Sequence, residues 1–205
     1  MKTNATLIPI TRRLESLFET LNKKYFGGEL PHPVITIQPY GKTRCKGWCT
    51  NKKVWQDTQD ENESYYEINI CAEYLGETKI DICTTMLHEM CHLYALENDL
   101  KDTSRKGAYH NEVYKGIAEA HGLICDIMEP YGWAKTTPTE ETEKYFDTLA
   151  DVVSTVVRKD IPHRKIESKQ SSTRKYICPI CENIIRATKE VNVICADCDI
   201  KYELH

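Results

Sequence analysis

Apolar residues recur at helical spacing along residues 11–26, where Leu14, Leu17, Phe18, Leu21 and Tyr25 lie three or four positions apart. The pattern predicts an amphipathic helix that Gly27-Gly28 stops. Leu30-Pro31-His32-Pro33 reads as an extended connector, because a residue before proline avoids the helical region. Val34–Gln38 reads as a strand. A second strand is expected around Cys45–Thr50 and a third over Tyr65–Cys71, where apolar and polar positions alternate. The polar, acidic stretch Gln56–Ser64 between them reads as a loop, and Ala72–Leu75 as a short helix.

From Ile82 to Leu96 the pattern changes. Ile82, Leu87, Met90, Leu93 and Leu96 cover more than one face, as in a helix buried on most sides. Thr78 followed three residues later by Asp81 gives a capping-box-like start, with Asp in place of Glu or Gln. Glu97-Asn98-Asp99 ends the run, and Asp99–Ala108 reads as a charged loop. A further helix is expected from Asn111 to about His121, with Val113, Tyr114, Ile117 and Ala120 as its stripe and Gly122 as its stop. Residues 125–140 read as irregular. Residues 139–158 read as a helix with Phe146, Leu149, Val152, Val153 and Val156 on one side. Thr139 is its N-cap, and Glu140, Glu141 and Glu143 sit near the positive end of its dipole. The order helix, three strands, helix, helix predicts an α+β domain with a small mixed sheet beside the buried helix.

That buried helix carries His88-Glu89-Met90-Cys91-His92, the pattern H-E-x-x-H. Two histidines four apart share one helical face and can grip one metal ion, with Glu89 beside its open position as general base. Imidazole suits zinc, and a catalytic zinc keeps a position for water. A helical pair needs a third protein ligand. His110 and His121 are the histidine candidates, with Glu112 and Glu119 behind them. His32, between two prolines, reads as a turn residue.

Near the C-terminus Cys178-Pro179-Ile180-Cys181 and Cys195-Ala196-Asp197-Cys198 form two C-x2-C pairs. At this separation they read as four thiolates around a structural zinc. Val191–Ile194 and Ile200–Leu204 supply short strands, giving a small β zinc ribbon. So short a segment builds little core, so metal binding must supply its folding energy. Cys45, Cys49, Cys71, Cys83, Cys91 and Cys125 read as small buried hydrophobes, since Cys45 and Cys49 lack a matching second pair. Arg158–Lys175 holds seven Lys/Arg against Asp160 and Glu167, a flexible basic linker that serves as a tether or a phosphate-binding segment.

Composition narrows this picture. At 205 residues, 40% apolar and 28% charged, the chain holds one ordinary soluble domain and a small appendage. A net charge of -4 confines any nucleic-acid contact to a local patch. The apolar run Leu7–Ile10 is too short for a signal peptide, and no 18-residue apolar run exists, so an intracellular, cytoplasmic protein without a membrane span is expected. Ten cysteines in a reducing compartment read as metal ligands or free thiols.

Four pieces together resemble the SprT-like family, which includes the Spartan proteases. They are Tyr25-Phe26-Gly27-Gly28-Glu29-Leu30-Pro31, the strand Ile68-Asn69-Ile70, His88-Glu89-Met90-Cys91-His92, and His110-Asn111-Glu112-Val113-Tyr114. Asn111 stands where the family often has glycine. The resemblance covers residues 11 to about 124, and a C-terminal ribbon is also found in many members. It implies a zincin-like domain over residues 1–135, followed by a helix and basic linker over 136–175 and the ribbon over 176–205. It implies His88, His92 and His110 as zinc ligands, and a metalloendopeptidase that acts on DNA-bound proteins. One catalytic and one structural zinc are expected, with a protein or peptide substrate and DNA contacts through linker and ribbon. Strand Tyr65–Cys71 would offer the edge on which an extended substrate pairs. Tyr109 and Tyr114 lie nearby in sequence, but tyrosine is more often core, so the oxyanion donor stays unassigned. The alternative is a zinc-ribbon nucleic-acid-binding protein with little turnover. A third reading, a pure interaction protein with two structural zinc sites, has no use for a base at Glu89.

Overall fold

The computed structural model describes residues 5–40, 45–159 and 173–205. The chain divides into two compact units, Met1–Lys159 and Asp160–His205. Most of the predicted basic linker, residues 160–172, lies outside the described residues. Among those described, the architecture is mixed α+β, with four α-helices and several small sheets.

Helix α1 (Ile8–Tyr25) starts with Pro9 in its first turn, where the missing N–H costs nothing, and buries Ile10, Leu14, Leu17, Phe18 and Leu21. Asn22 is buried with them. Its amide donates to the Leu30 carbonyl at 3.0 Å and accepts from the Leu30 N–H at 3.2 Å. That clamp holds the turn in which Gly27 and Gly28 take φ of +66° and +79°, a region other residues disfavour.

Strands β1 (Val34–Thr36), β2 (Gly47–Cys49), β3 (Trp55–Gln56), β4 (Ser64–Tyr65) and β5 (Glu67–Ile70) follow. The expected third strand is therefore split. β4 pairs with β3, while β5 is the central strand of β1-β5-β2, parallel to β1 and antiparallel to β2. All four β5 residues are buried, and its backbone is paired on both sides, so it offers no free edge. The Ala72–Leu75 segment forms tight turns rather than a helix.

Helix α2 (Lys79–Glu97) packs against α1, β2 and β5 and against the later elements of this unit. Met86, Leu87, Met90, Cys91 and Leu93 are fully buried, which explains its apolar residues on several faces. β6 (Thr103–Ser104) and β7 (Tyr109–His110) form a short hairpin within the expected loop. α3 (Glu112–Ala120) is capped by Asn111, whose side chain accepts from the N–H groups of Val113 and Tyr114.

Residues expected to be irregular form a second hairpin, β8 (Leu123–Met128) and β9 (Gly132–Pro138), in the sheet β6-β7-β9-β8. Pro130 and Gly132, which suggested irregularity, are confined to its turn and the first position of β9. α4 (Glu140–Thr148) is shorter than expected. Leu149 is already extended (ψ 157°), and Val152 beyond it is buried in the core. There the N–H of Ser154 donates to Leu75 O, and that of Arg158 to Ala72 O.

The second unit pairs β10 (Arg174–Ile177) with β11 (Ile184–Ala187). β12 (Ile194–Cys195) pairs with β13 (Ile200–Lys201), and β14 (Glu203–Leu204) with β10. Among the described residues its buried core is Tyr176, Cys178, Cys195 and Tyr202. Among the described residues no helix is long and apolar enough to cross a membrane.

The start of α2 generates a prediction. The Thr78 side chain accepts from the Asp81 N–H, and its hydroxyl donates to the Asp81 carboxylate. This donation, aided by Lys46, holds the Asp81 carboxyl below its usual range against the effect of burial. A lowered folded-state pKa means stability that is present above about pH 4 and is lost as the pH falls through the native value. Thr78→Ala should cost about 1 kcal/mol, about 2–4 °C in Tm. Asp81→Asn should lower Tm at pH 7, with the two melting curves converging as the pH is taken toward 3.

Candidate metal centre

His88 and His92 project from one face of α2, their ring centroids 5.1 Å apart. The third imidazole comes from β7, which delivers His110 to the same point. His88 Nε2 lies 3.2 Å and His92 Nε2 3.0 Å from His110 Nε2. Among the described residues no fourth His, Cys, Asp or Glu joins them.

Each ring is held by its other nitrogen. His92 Nδ1 donates to Asp102, a carboxylate that is itself buried. His88 Nδ1 pairs with the Thr136 hydroxyl on β9 at 3.0 Å. His110 Nδ1 faces the Tyr131 carbonyl at 3.3 Å, and the same oxygen accepts the His110 backbone N–H at 2.9 Å. With a proton on Nδ1, the Nε2 lone pairs are what converge. Tyr114 closes the floor, its ring centroid 4.6–4.9 Å from all three imidazoles. Its hydroxyl is buried without a hydrogen-bond partner. It therefore supports the rings from beneath.

Gly132 makes the approach of β9 to β7 possible. A Cβ there would lie 2.2 Å from the His110 carbonyl oxygen, and its φ of +71° disfavours any other residue. Gly47 has the same role on the other side. A Cβ there would come within 2.7 Å of the Asn69 carbonyl and 3.1 Å of Glu89 Oε1, so β2 lies directly against Glu89.

Burial pushes His88 well below its ordinary range, and pushes His110 down to about 4, in each case helped by the neighbouring imidazoles. His110 Nε2 lies about 3 Å from both other Nε2 atoms, and imidazole lone pairs turned toward one another at that distance repel unless a cation sits between them. Their spacing is close to the edge of a tetrahedron with metal–nitrogen bonds of about 2.0–2.1 Å, roughly 3.3 Å. The donor set fits a metal ion. Glu89 is only 5% exposed. Burial raises its carboxyl to about 7, opposed by His92 and the Cys49 backbone N–H.

The other candidates go elsewhere. His121 caps α3, with Nδ1 2.7 Å from Ile117 O and its ring stacked on Phe26 at 4.3 Å. His32 pairs with Glu19 at 3.2 Å. Glu112 accepts from the Trp133 indole at 2.9 Å, and Glu119 lies 4.0 Å from Lys115. Among the described residues Cys45 and Cys49 join no metal group.

In the second unit Cys178, Cys181, Cys195 and Cys198 bring their sulfurs within 4.8 Å of one another. Cys181 and Cys195 are 3.7 Å apart. This matches the edge of a tetrahedron with metal–sulfur bonds of about 2.3 Å, roughly 3.8 Å. The Cys181 backbone N–H draws the Cys178 thiol down to about 7, toward the thiolate form that ligates metal.

Sequence reasoning missed Asp102, Thr136, Gly132 and the Tyr131 carbonyl. No spacing rule marks them, because Thr136, Gly132 and Tyr131 come from a hairpin remote from α2 in sequence and Asp102 from a charged run before β6.

A helix with H-E-x-x-H, a third imidazole from a following strand and a buried glutamate define an α+β unit whose three histidines could hold a metal ion. The SprT-like family model matches residues 14–127, more than half of the chain, and the chain belongs to the SprT-like family. That membership suggests a zinc metalloprotease. No curated protein and no solved structure matches the chain.

Asp102 generates a prediction. Asp102→Asn should weaken Zn2+ binding roughly ten- to a hundredfold in competition with a chelator, and Thr136→Val should weaken it less. An unchanged affinity in Asp102→Asn would remove Asp102 from the support of His92.

Proposed function

We propose that this protein is a zinc-dependent metalloendopeptidase of SprT type, with a zincin-like first unit and a structural zinc in the ribbon. The observation that carries the reading is the convergence of His88, His92 and His110 with no fourth side-chain donor among the described residues, beside a buried glutamate. A catalytic zinc is held by three protein ligands, whereas a structural one is closed by four. The four cysteines of the ribbon fit the closed type.

When bound, zinc lowers the pKa of water and polarises a carbonyl. The chain's own residues supply the rest. Glu89 takes a proton from the attacking water and returns it to the leaving amine. Asp102, Thr136 and the Tyr131 carbonyl keep the three imidazoles in one tautomer and orientation. Burial around Glu89 excludes bulk water, which strengthens every charge interaction there.

The strand that receives an extended substrate is β2. Lys46, Trp48 and Thr50 turn their backbone groups to β5, which leaves those of Gly47 and the Cys49 carbonyl on the other side, while the Cys49 N–H is taken by Glu89. Main-chain pairing there needs little side-chain selectivity, which suits a protease of broad substrates. DNA-bound proteins as substrates, with DNA held through the basic linker and ribbon, follow from the Spartan resemblance and the charge of Arg158–Lys175.

Glu89→Gln should retain zinc and lose cleavage of a DNA-binding protein, assayed with and without single-stranded DNA. His110→Ala should lose the zinc of the first unit. Retained cleavage in Glu89→Gln would remove Glu89 from the mechanism, and full zinc content in His110→Ala would defeat the ligand assignment.

A further inference from the structure

The outer face of the β1-β5-β2 sheet carries aromatic side chains that neither the core nor the metal centre uses. Ile68 and Ile70 turn to the helices, so Glu67 and Asn69 face the other way. Trp48 lies opposite Asn69 in the register, and Trp55 lies opposite Tyr65, two residues before Glu67. Residues opposite one another in a ladder share a face. Trp48, Trp55, Tyr65 and Glu67 therefore form one surface.

Glu67 fixes the two indoles. Its Oε1 accepts from Trp48 Nε1 at 3.2 Å, and its Oε2 from Trp55 Nε1 at 2.8 Å. The Gln38 amide adds a third donor at 3.1 Å. Glu67 itself is buried. The polar edges of both rings are thus spent inward, and what remains for a ligand is carbon surface and π face. Trp55 keeps 43% of its surface exposed, beside Val54 at 50%.

The rim is negative. The loop between β3 and β4 holds Asp57, Asp60, Glu61 and Glu63 and no basic residue. Asp57, Glu63 and Asp60 lie within electrostatic reach of the Tyr65 hydroxyl. No ion pair among the described residues engages these acids. Lys53 is turned over Tyr66, on the core side of the chain. The exposed face of Trp55 and these carboxylates attract the same ligand, a cation, and both repel phosphate.

The geometry points to a docking surface for a lysine- or arginine-rich protein segment, with a cationic side chain seated on Trp55 between Trp48 and Tyr65 and its neighbours paired with the acidic loop. The surface lies on β2 and its neighbours, one residue from the positions that flank Glu89, and it binds whether or not the chain cleaves.

The test is quenching of tryptophan fluorescence in the full-length, zinc-loaded chain, titrated with a short arginine–glycine repeat peptide. A peptide with citrulline for arginine is the control. Saturable binding of the arginine peptide is expected, weakened about tenfold in Trp55→Ala. A similar loss is expected in Asp57→Asn/Asp60→Asn/Glu63→Gln, which leaves the aromatic residues in place. Rising salt should weaken the binding as well. Equal binding of the citrulline peptide, or undiminished binding in both variants, would overturn the proposal. So would binding of an oligothymidylate at this surface in place of the peptide, lost in Trp55→Ala.

Discussion

Two imidazole nitrogens held about 3 Å from a third, each with its lone pair turned inward, are an arrangement that proteins do not keep for packing alone. Without a cation the lone pairs repel. With one, the same crowding becomes the source of affinity, because the chain has already met the cost of ordering the ligands. The rest of the first unit serves that crowding. α2 supplies two of the rings on one face, Tyr114 supports them from below, and the β6-β7-β9-β8 sheet brings the third ring and two of the acceptors that lock the set.

The two metal-binding groups answer different physical needs. The histidine group sits in a unit with a broad apolar core of its own, so a metal there need not supply the folding energy. The cysteine group sits in a unit whose buried core, among the described residues, is four residues, two of them cysteines of the group. There a metal would be part of the frame.

How far the sequence could be read follows from what each feature depends on. α1, α2 and α3 were legible because their stripes, caps and glycine stops are local. His88, His92 and the four cysteines stood out because metal geometry imposes fixed short spacings, and His110 came with the family resemblance. The β8–β9 hairpin was hidden, because exposed Ile124, Ile127 and Met128 blur the alternation that would mark it. The end of α4 was hidden because Val152 and its neighbours suit a helix stripe, whereas the ties that hold this stretch extended, from the N–H groups of Ser154 and Arg158 to Leu75 and Ala72, are remote in sequence. The central position of β5 was not local information either. Nothing in Glu67–Ile70 says that two strands flank it, although four buried residues in a row are the mark such a strand leaves. Asp102 lies ten residues beyond His92 in a charged run where any acid looks solvated.

Gly132 carries a consequence of a different kind. One missing methyl group lets a strand remote in sequence rest against the carbonyl of His110. The position of a ligand is thereby tied to a residue that bears no reactive atom. Selection on the chemistry of this protein must act on empty space as strictly as on histidine, and an inventory of functional groups alone would overlook it.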